Sequence, residues 1–219
     1  MVPPKNMTDE RPQPRLYLVT PAAADIAQLK LDLLAALDSA DIAAVLLRLP
    51  DEDDRSLINR IKALAPTVQR AEAALILDGH PAIVARGGAD GAHLRSITEF
   101  EEAVDALQPD RIAGAGGLST RHDAMIAAER GADYVMFGEP NAAEERPSLQ
   151  AIAERVSWWA EVFEAPCVAY AASLDDIGPL AQAGADFIAL GDFIFADPRG
   201  VAAAVAEAAR HLTAQETAS

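Results

Sequence analysis

Short apolar runs alternate with longer segments of helical spacing along most of this chain. Between residues 25 and 38 the apolar positions recur every three or four residues, as in a helix with one buried face. The apolar runs are continuous, as expected for strands that are covered on both sides. The pattern predicts strands at 16–19, 43–49, 73–77, 92–94, 111–115, 134–137, 168–170 and 187–190. It predicts helices at 25–38, 54–65, from 81, 97–107, from 119 or 120 to about 130, 149–163, from 173, and 201–212.

One short pattern marks every second predicted strand. Gly-Ala-Asp followed by apolar residues begins at Gly88, Gly131 and Gly184, so the copies start 43 and 53 residues apart. Glycine has no Cβ and readily takes the left-handed conformation that ends a helix. Each copy therefore reads as a helix end, a tight turn and a buried strand. The repeat predicts a (β/α)8 barrel made of four double units, with an open doubly wound sheet as the alternative.

Length and composition favour a single domain. The 219 residues suit one barrel, which we place at 15–213. Residues 1–14 contain four prolines and no periodicity, and we expect a disordered tail there and a flexible end at 214–219. No secretory signal and no apolar run of roughly 18 residues is present, so a cytoplasmic protein is expected. The single cysteine, Cys167, lies in an apolar run and is predicted to be a buried strand residue.

The net charge narrows the classes of partner. With 18 basic and 34 acidic residues the formal charge is −16. Nucleic acids and anionic membranes would repel such a surface, so neither is an expected partner. A phosphorylated ligand would need basic groups close to its own site.

An ordered series of segments resembles a known family. The segments are 16–21 (LYLVTP), 46–48, 75–94, 131–138 and 185–189. Together they span most of residues 15–200 and resemble the thiamine phosphate synthase and thiazole tautomerase (TenI-like) family. The resemblance implies a (β/α)8 barrel with a small-molecule ligand at the carboxyl ends of its strands. Its synthase members are transferases of thiamine biosynthesis that use Mg²⁺ to join a pyrimidine pyrophosphate to a thiazole phosphate.

The resemblance also assigns positions for the metal and the pyrophosphate. Arg48 matches a family arginine that binds pyrophosphate, but Leu46 and Pro50 replace the glutamine and lysine beside it. Asp78 lies one residue before the position of a metal-binding aspartate, and Thr98 replaces the second metal ligand. No cofactor is therefore expected, with Mg²⁺ only if synthase activity is retained.

The positions that hold the thiazole phosphate are changed as well. The family's glycine pair is Ala171-Ala172 here, its serine is Asp192, and the loop at 139–147 lacks its lysine. A carboxylate about 4 Å from a phosphate would repel it by roughly 4 kcal/mol at an effective dielectric near 20. These substitutions weigh against the synthase reaction.

Three functions are consistent with these residues. The first is a divergent synthase, the second a non-catalytic ligand-binding or regulatory barrel, and the third an enzyme for an uncharged or cationic ligand. The expected ligand-binding residues are Tyr17, Arg48, Asp78, His93, Gly138, Ala171, Ala172 and Asp192. For four of them the residues allow a second role. Arg48 could pair with an acid such as Asp78, and Asp78 could be an ion-pair partner. His93 could be a core histidine, and Tyr17 could fill the core. No catalytic residue is assigned, and a homo-oligomer is possible, with Trp158 or Phe163 in the contact.

Overall fold

Eight parallel strands close into a barrel in which each strand pairs with the next and β1 pairs with β8. The computed structural model describes residues 12–22, 25–141, 143 and 145–213. The strands are β1 Arg15–Val19, β2 Ile42–Leu47, β3 Ala74–Asp78, β4 Gly91–Leu94, β5 Ile112–Ala115, β6 Tyr134–Phe137, β7 Cys167–Ala171 and β8 Phe187–Leu190. The helices are α1 Ile26–Ser39, α2 Asp54–Gln69, α3 Val84–Gly87, α4 Ile97–Leu107, α5 Arg121–Glu129, α6 Leu149–Val162, α7 Leu174–Gln182 and α8 Val201–Thr213. The (β/α)8 barrel is thus confirmed, and the open sheet is excluded.

Alternation along the strands separates two apolar cores. One set of side chains fills the barrel interior: Tyr17, Val19, Ala44, Leu46, Ile76, Tyr134, Met136, Val168, Tyr170 and Ala189. The other set packs between the strands and the surrounding helices, and it includes Trp159 and Cys167. Both of these residues are fully buried, so Cys167 is the strand residue that the sequence predicts. Because side chains alternate between faces, residues two apart on a strand share one core.

The Gly-Ala-Asp repeat ties neighbouring strands together at the amino-terminal end of the barrel. Its glycines have φ values of 79°, 89° and 98°, in the left-handed region. Each aspartate then accepts a hydrogen bond from a backbone N–H of the preceding strand, at 2.7–2.8 Å. The pairs are Asp90 with Leu75, Asp133 with Ala113, and Asp186 with Cys167. The repeat therefore joins β3 to β4, β5 to β6 and β7 to β8.

The remaining pair of strands, β1 and β2, is joined by a different aspartate contact. Asp41 precedes β2 and pairs with the side chain of Arg15 at the start of β1, with an N···O distance of 2.7 Å. This contact involves a side chain in place of a backbone N–H, and no glycine precedes Asp41. The barrel accordingly consists of the four double units that the repeat predicts.

Two helices contain a proline, and one of them corrects a prediction. The sequence predicts that α2 stops at Pro66, but the helix continues to Gln69. Proline removes one intrahelical hydrogen bond, and because Pro66 is exposed the carbonyl that it leaves free can be hydrated. In α7, Pro179 is exposed in the same way.

The predicted tails fall largely outside the described residues. Of the expected disordered segment, residues 1–11 lie outside them and residues 12–14 lead into β1. The segment 214–219 also lies outside them. Among the described helices, none combines the length and the hydropathy needed to cross a membrane.

Candidate functional site

Charged side chains from five strand ends gather at the carboxyl-terminal face of the barrel. We call this set the barrel mouth: Arg48, Asp78, His93, Arg95, Glu139 and Asp192. Each lies in the last residues of a strand or directly after it. Four of the eight residues predicted to bind ligand therefore lie in the mouth, namely Arg48, Asp78, His93 and Asp192. Glu139 and Arg95 join them without having been singled out.

Arg48 lies between two carboxylates. Its Nε is 3.6 Å from Asp78 Oδ2, and its Nη1 donates to Asp192 Oδ1 at 3.2 Å. Its backbone N–H donates to the buried hydroxyl of Thr20 at 3.1 Å, which fixes the turn after β2. Arg48 thus has the ion-pair role that the sequence left open, with Asp192 as a second partner.

Asp78 is shared by two arginines. Arg95 donates from Nε to Asp78 Oδ1 at 2.8 Å and from Nη2 to the Asp78 carbonyl at 3.0 Å. The carboxylate has only 13% of its side chain exposed. Hydrogen bonding to Asp78 raises the pKa of Arg95, against an opposing effect of partial burial. Both oxygens of Asp78 therefore face guanidinium groups.

These residues do not fit a Mg²⁺ site. Mg²⁺ prefers carboxylate and other oxygen ligands that are free to face it. The oxygens of Asp78 face Arg48 and Arg95, and Thr98 stands at the position that the family resemblance assigns to a second carboxylate. Across the described ranges there is no group of three or more His, Cys, Asp or Glu residues that could hold a metal ion.

The positions that the family resemblance assigns to a phosphate make contacts within the protein. The N–H of Ala172 donates to Asp176 Oδ2 at 2.9 Å, and Arg146 donates to the same oxygen at 3.1 Å. Ala171 is fully buried and its side chain belongs to the core between strands and helices. Asp192 is more than half exposed and adds a negative charge after β8. The N–H of Ala172 is therefore already bonded to a carboxylate.

His93 belongs to a hydrogen-bonded chain inside the barrel. Its Nδ1 lies 3.0 Å from the Tyr134 hydroxyl, which shares a hydrogen bond of 2.9 Å with the Tyr17 hydroxyl. Its Nε2 lies 3.0 Å from Glu139 Oε2. Burial lowers the pKa of His93, but the nearby carboxylate of Glu139, with a smaller effect of Asp78, leaves that pKa raised overall. Burial raises the pKa of both tyrosines, which are therefore neutral.

Two glycines of β5 and its following turn make room for this chain. A Cβ at Gly114 would overlap the ring of Tyr134, and one at Gly116 would overlap both the His93 ring and the Glu139 carboxylate. Because residues two apart face the same side, these glycines clear one continuous space in the barrel interior.

Glu139 is a charged residue of the barrel mouth that the sequence analysis did not single out. Its Oε1 accepts a hydrogen bond from the N–H of Gly117, and its Oε2 contacts His93. The side chain is 18% exposed and lines a cavity of about 380 Å³ above β5 and β6. Its position could have indicated it, because Glu139 lies two residues beyond the end of β6, where side chains reach the carboxyl-terminal face of the barrel.

Gly138 and Tyr17 lie close to the mouth in different ways. Gly138 lines the same cavity and has φ 91°, and a Cβ there would press on Ile152 of α6, so the turn requires glycine. Tyr17 is buried in the barrel interior and reaches the mouth only through Tyr134 and His93. It also lines a cavity of about 240 Å³ at the opposite end of the barrel. A ligand-binding role for either residue stays a prediction.

Fold and site together define a (β/α)8 barrel whose charged groups gather at the face where such barrels bind ligands. The family profile described as thiamine monophosphate synthase matches residues 16–194. The chain belongs to this family, as its sequence segments predict.

Relatives and a solved structure agree with that assignment. A thiamine-phosphate synthase of Rhodospirillum centenum is 42% identical over 197 residues, covering 88% of this chain and 95% of the relative. One of Hyphomonas neptunium is 34% identical over 211 residues, covering 91% and 95%. The solved thiamine phosphate pyrophosphorylase of Pyrococcus furiosus has a TM-score of 0.75 at 20% identity and covers 93% of this chain and 97% of its own, which supports the fold.

Proposed function

We propose that this family member binds a small molecule without phosphate groups at its barrel mouth, and that it does not join a pyrimidine pyrophosphate to a thiazole phosphate. The ligand is uncharged or cationic. The observation that carries the proposal is the pairing of Arg48 and Arg95 with Asp78 and Asp192. Arg48, which the family resemblance assigns to pyrophosphate, and Arg95 are both already paired with carboxylates.

The synthase reaction needs positive charge at its site, and the ion pairs of Arg48 and Arg95 reduce the positive charge that is available. A departing pyrophosphate needs a divalent ion and cationic side chains to neutralise its developing charge. Freeing Arg48 for that task would leave Asp78 and Asp192 without one of their partners, and both would then repel the pyrophosphate. The occupied amide of Ala172 likewise leaves the phosphate of the second substrate without a backbone donor there.

A second candidate function is the synthase reaction itself, carried out with altered contacts. It is favoured by the 42% identity to a thiamine-phosphate synthase over 95% of that relative's length. Arg48 also stands at the family's pyrophosphate position. In this case Asp78 would have to exchange its arginines for the metal ion.

A direct assay separates the two candidates. Purified full-length protein is incubated with both thiamine precursors and Mg²⁺, and thiamine phosphate is measured alongside a family member that has all the metal and phosphate residues. We expect no product above the enzyme-free background. Product that depends on this protein, and that is lost in the variant Arg48→Gln, would overturn the proposal in favour of the synthase.

Binding measurements then decide the charge of the ligand. Calorimetry with inorganic pyrophosphate and Mg²⁺, with thiazole phosphate and with the phosphate-free thiazole alcohol compares anionic with neutral ligands of similar shape. Tighter binding of the phosphate than of the alcohol would contradict the proposal. A ligand that binds and leaves unchanged would favour the regulatory barrel, and one that is converted would favour the enzyme.

A further inference from the structure

The end of the barrel opposite the mouth contains a cavity of its own. Its volume is about 240 Å³, and we call it the amino-terminal cavity. Its walls include inward-facing side chains from the first half of several strands, such as Ala44, Ala74, Ile76 and Val168. None of the charged residues that define the barrel mouth lines it.

Two alanines leave this space open. Ala44 on β2 and Ala74 on β3 are direct neighbours in the strand pairing, and both belong to the core inside the barrel. The interior layers of such barrels are filled mostly by bulky branched side chains. The cavity therefore occupies volume that larger side chains at these two positions would fill.

The lining of the cavity is mainly apolar and can be reached from solvent. Ala74, Ile112, Pro166 and Phe187 line it and are only half-buried. Exposed apolar side chains around a concave space are typical of a binding site. An apolar cavity of about 150 Å³ is large enough to bind benzene. The amino-terminal cavity is larger, so it offers room for two fused rings.

The charged side chains in the lining, Arg15 and Asp133, have partners within the protein. Arg15 donates to both carboxylate oxygens of Asp41, at 2.8 and 2.7 Å. Asp133 accepts a hydrogen bond from the N–H of Ala113 at 2.8 Å. Both are exposed, so water screens their charges at the rim. A charged group inside would lose its hydration against apolar walls, and the cavity therefore favours an uncharged ligand.

Three aromatic rings favour a ligand that is itself aromatic. Tyr17, Tyr134 and Phe187 all line the cavity. The two tyrosine hydroxyls share a hydrogen bond of 2.9 Å, and that of Tyr134 also contacts His93, so the polar ends of both rings are engaged inside the protein. Aromatic rings attract one another in edge-to-face and offset arrangements, beyond the effect of burial.

We propose that the amino-terminal cavity binds an uncharged aromatic molecule of one or two fused rings. Burial of the apolar surface of the ring provides the driving force. This site goes beyond the proposed function, because it lies at the other end of the barrel and takes a ligand of its own.

Indole is the probe for this site. Indole-3-carboxylate and tryptamine contain the same ring with a negative or a positive group. Calorimetry measures the affinity of each molecule for the full-length protein. We expect indole to bind at least tenfold more tightly than either charged molecule. Absence of indole binding, or equal binding of a charged molecule, would overturn the inference.

Variants that fill the cavity test its location. Ala74→Leu should weaken indole binding at least tenfold, because the larger side chain takes up part of the space. Ala44→Val is a smaller change beside it and should weaken binding at least threefold, which provides a test should the leucine variant not fold. Ala85→Leu, at an exposed position of α3 outside the cavity, is the matched control and should bind indole unchanged. Unchanged affinity in the folded cavity variants would contradict the assignment.

Methyl resonances report which end of the barrel holds the ring. Bound indole should shift the methyl resonances of Ile76, Ile112 and Val168, which line the amino-terminal cavity. Those of Leu118 and Ile152, which lie beside the mouth, should not move. Shifts confined to Leu118 and Ile152 would place indole at the mouth and would overturn the inference.

The two proposals fail in different experiments. Formation of thiamine phosphate would overturn the proposed function and leave the indole site standing. Failure of indole to bind would remove the amino-terminal site and leave the absence of synthase activity unaffected.

Discussion

Asp192 adds a negative charge to the barrel mouth. The family resemblance implies a serine at its position, and 63% of its side chain is exposed. Water screens a charge of this kind, so its effect on a ligand is smaller than the close-contact estimate of a few kcal/mol. Its influence comes through Arg48, with which it forms an ion pair.

Neutralising Asp192 should increase affinity for an anion. We expect Asp192→Asn to bind inorganic pyrophosphate about threefold to fivefold more tightly than the unmodified protein, as befits an exposed pair worth about 1 kcal/mol. Isothermal calorimetry at fixed ionic strength measures the change. Asp38→Asn, at an exposed position of α1, is the matched control for net charge. Equal gains in both variants would assign the effect to overall charge and not to the mouth.

His93 and Glu139 make stability depend on pH. The groups that face His93 are Glu139 and Tyr134, with Asp78 and Arg95 acting from farther away. Its pKa in the folded protein is raised, so the charged pair stabilises the fold fully below the ordinary pKa of histidine, near 6.5, and loses that effect as pH rises through the raised value.

The difference in unfolding free energy between the unmodified protein and Glu139→Gln should therefore be larger at about pH 6 than at about pH 9. Urea denaturation at both values measures it, with Glu154→Gln as the control. A difference that is the same at both pH values, or larger at the higher one, would show that His93 is not charged against Glu139.

At the scale of elements, hydrogen bonds to the aspartates of the Gly-Ala-Asp repeat, which we call the aspartate ties, hold neighbouring strands in register. Asp133 accepts a hydrogen bond from the N–H of Ala113 at the start of β5, and that donor is buried. Leaving a buried backbone donor without a partner costs more than the net value of a hydrogen bond.

Removing one tie should destabilise the barrel measurably. We expect Asp133→Ala to lower the free energy of unfolding by about 1–3 kcal/mol. Asp133→Asn, which keeps an acceptor oxygen, should recover part of the loss, and Asp110→Ala, at an exposed position near the same strand, should change little. Chemical denaturation of the three variants provides the test, and equal effects of Asp133→Ala and Asp110→Ala would contradict it.

Most elements were predictable because local chemistry specifies them. Gly-Ala-Asp marks the entries to β4, β6 and β8, and the bounds of α4, β6 and β8 agree with the sequence pattern. Pro66 was misjudged because a proline ends a helix only where its missing hydrogen bond cannot be replaced, and exposure is a property of the tertiary fold. The candidate site was less predictable for a related reason.

Contacts across the mouth connect residues that are distant in sequence. Glu139 is 46 residues from His93, and Asp192 is 144 residues from Arg48. The resemblance to the family supplied Arg48, Asp78 and Asp192, but it offered no role for Glu139 or Arg95. A rule that considers every charged residue within two positions of a strand end would have included both.

At the scale of the whole molecule, the net charge of −16 acts against the compact state. Salt screens repulsion between exposed charges over about 10 Å at 0.1 M. Salt also weakens the attraction within local ion pairs, such as that of Arg15 with Asp41, and this effect lowers stability.

We expect self-repulsion to outweigh the local pairs. The thermal midpoint should rise by about 2–4 °C between low salt and about 0.15 M NaCl, which for a chain of this size corresponds to about 1 kcal/mol. Differential scanning calorimetry measures it, with sucrose at equal osmolarity as the uncharged control. A fall in the midpoint would mean that local ion pairs dominate.

The location of the aspartate ties has an evolutionary consequence. All of them lie at the end of the barrel away from Arg48, Glu139 and Asp192. Mutations that change ligand binding at the carboxyl-terminal end therefore leave the aspartate contacts at the amino-terminal end intact. Such a protein can acquire a new ligand while its sequence still shows which family it belongs to.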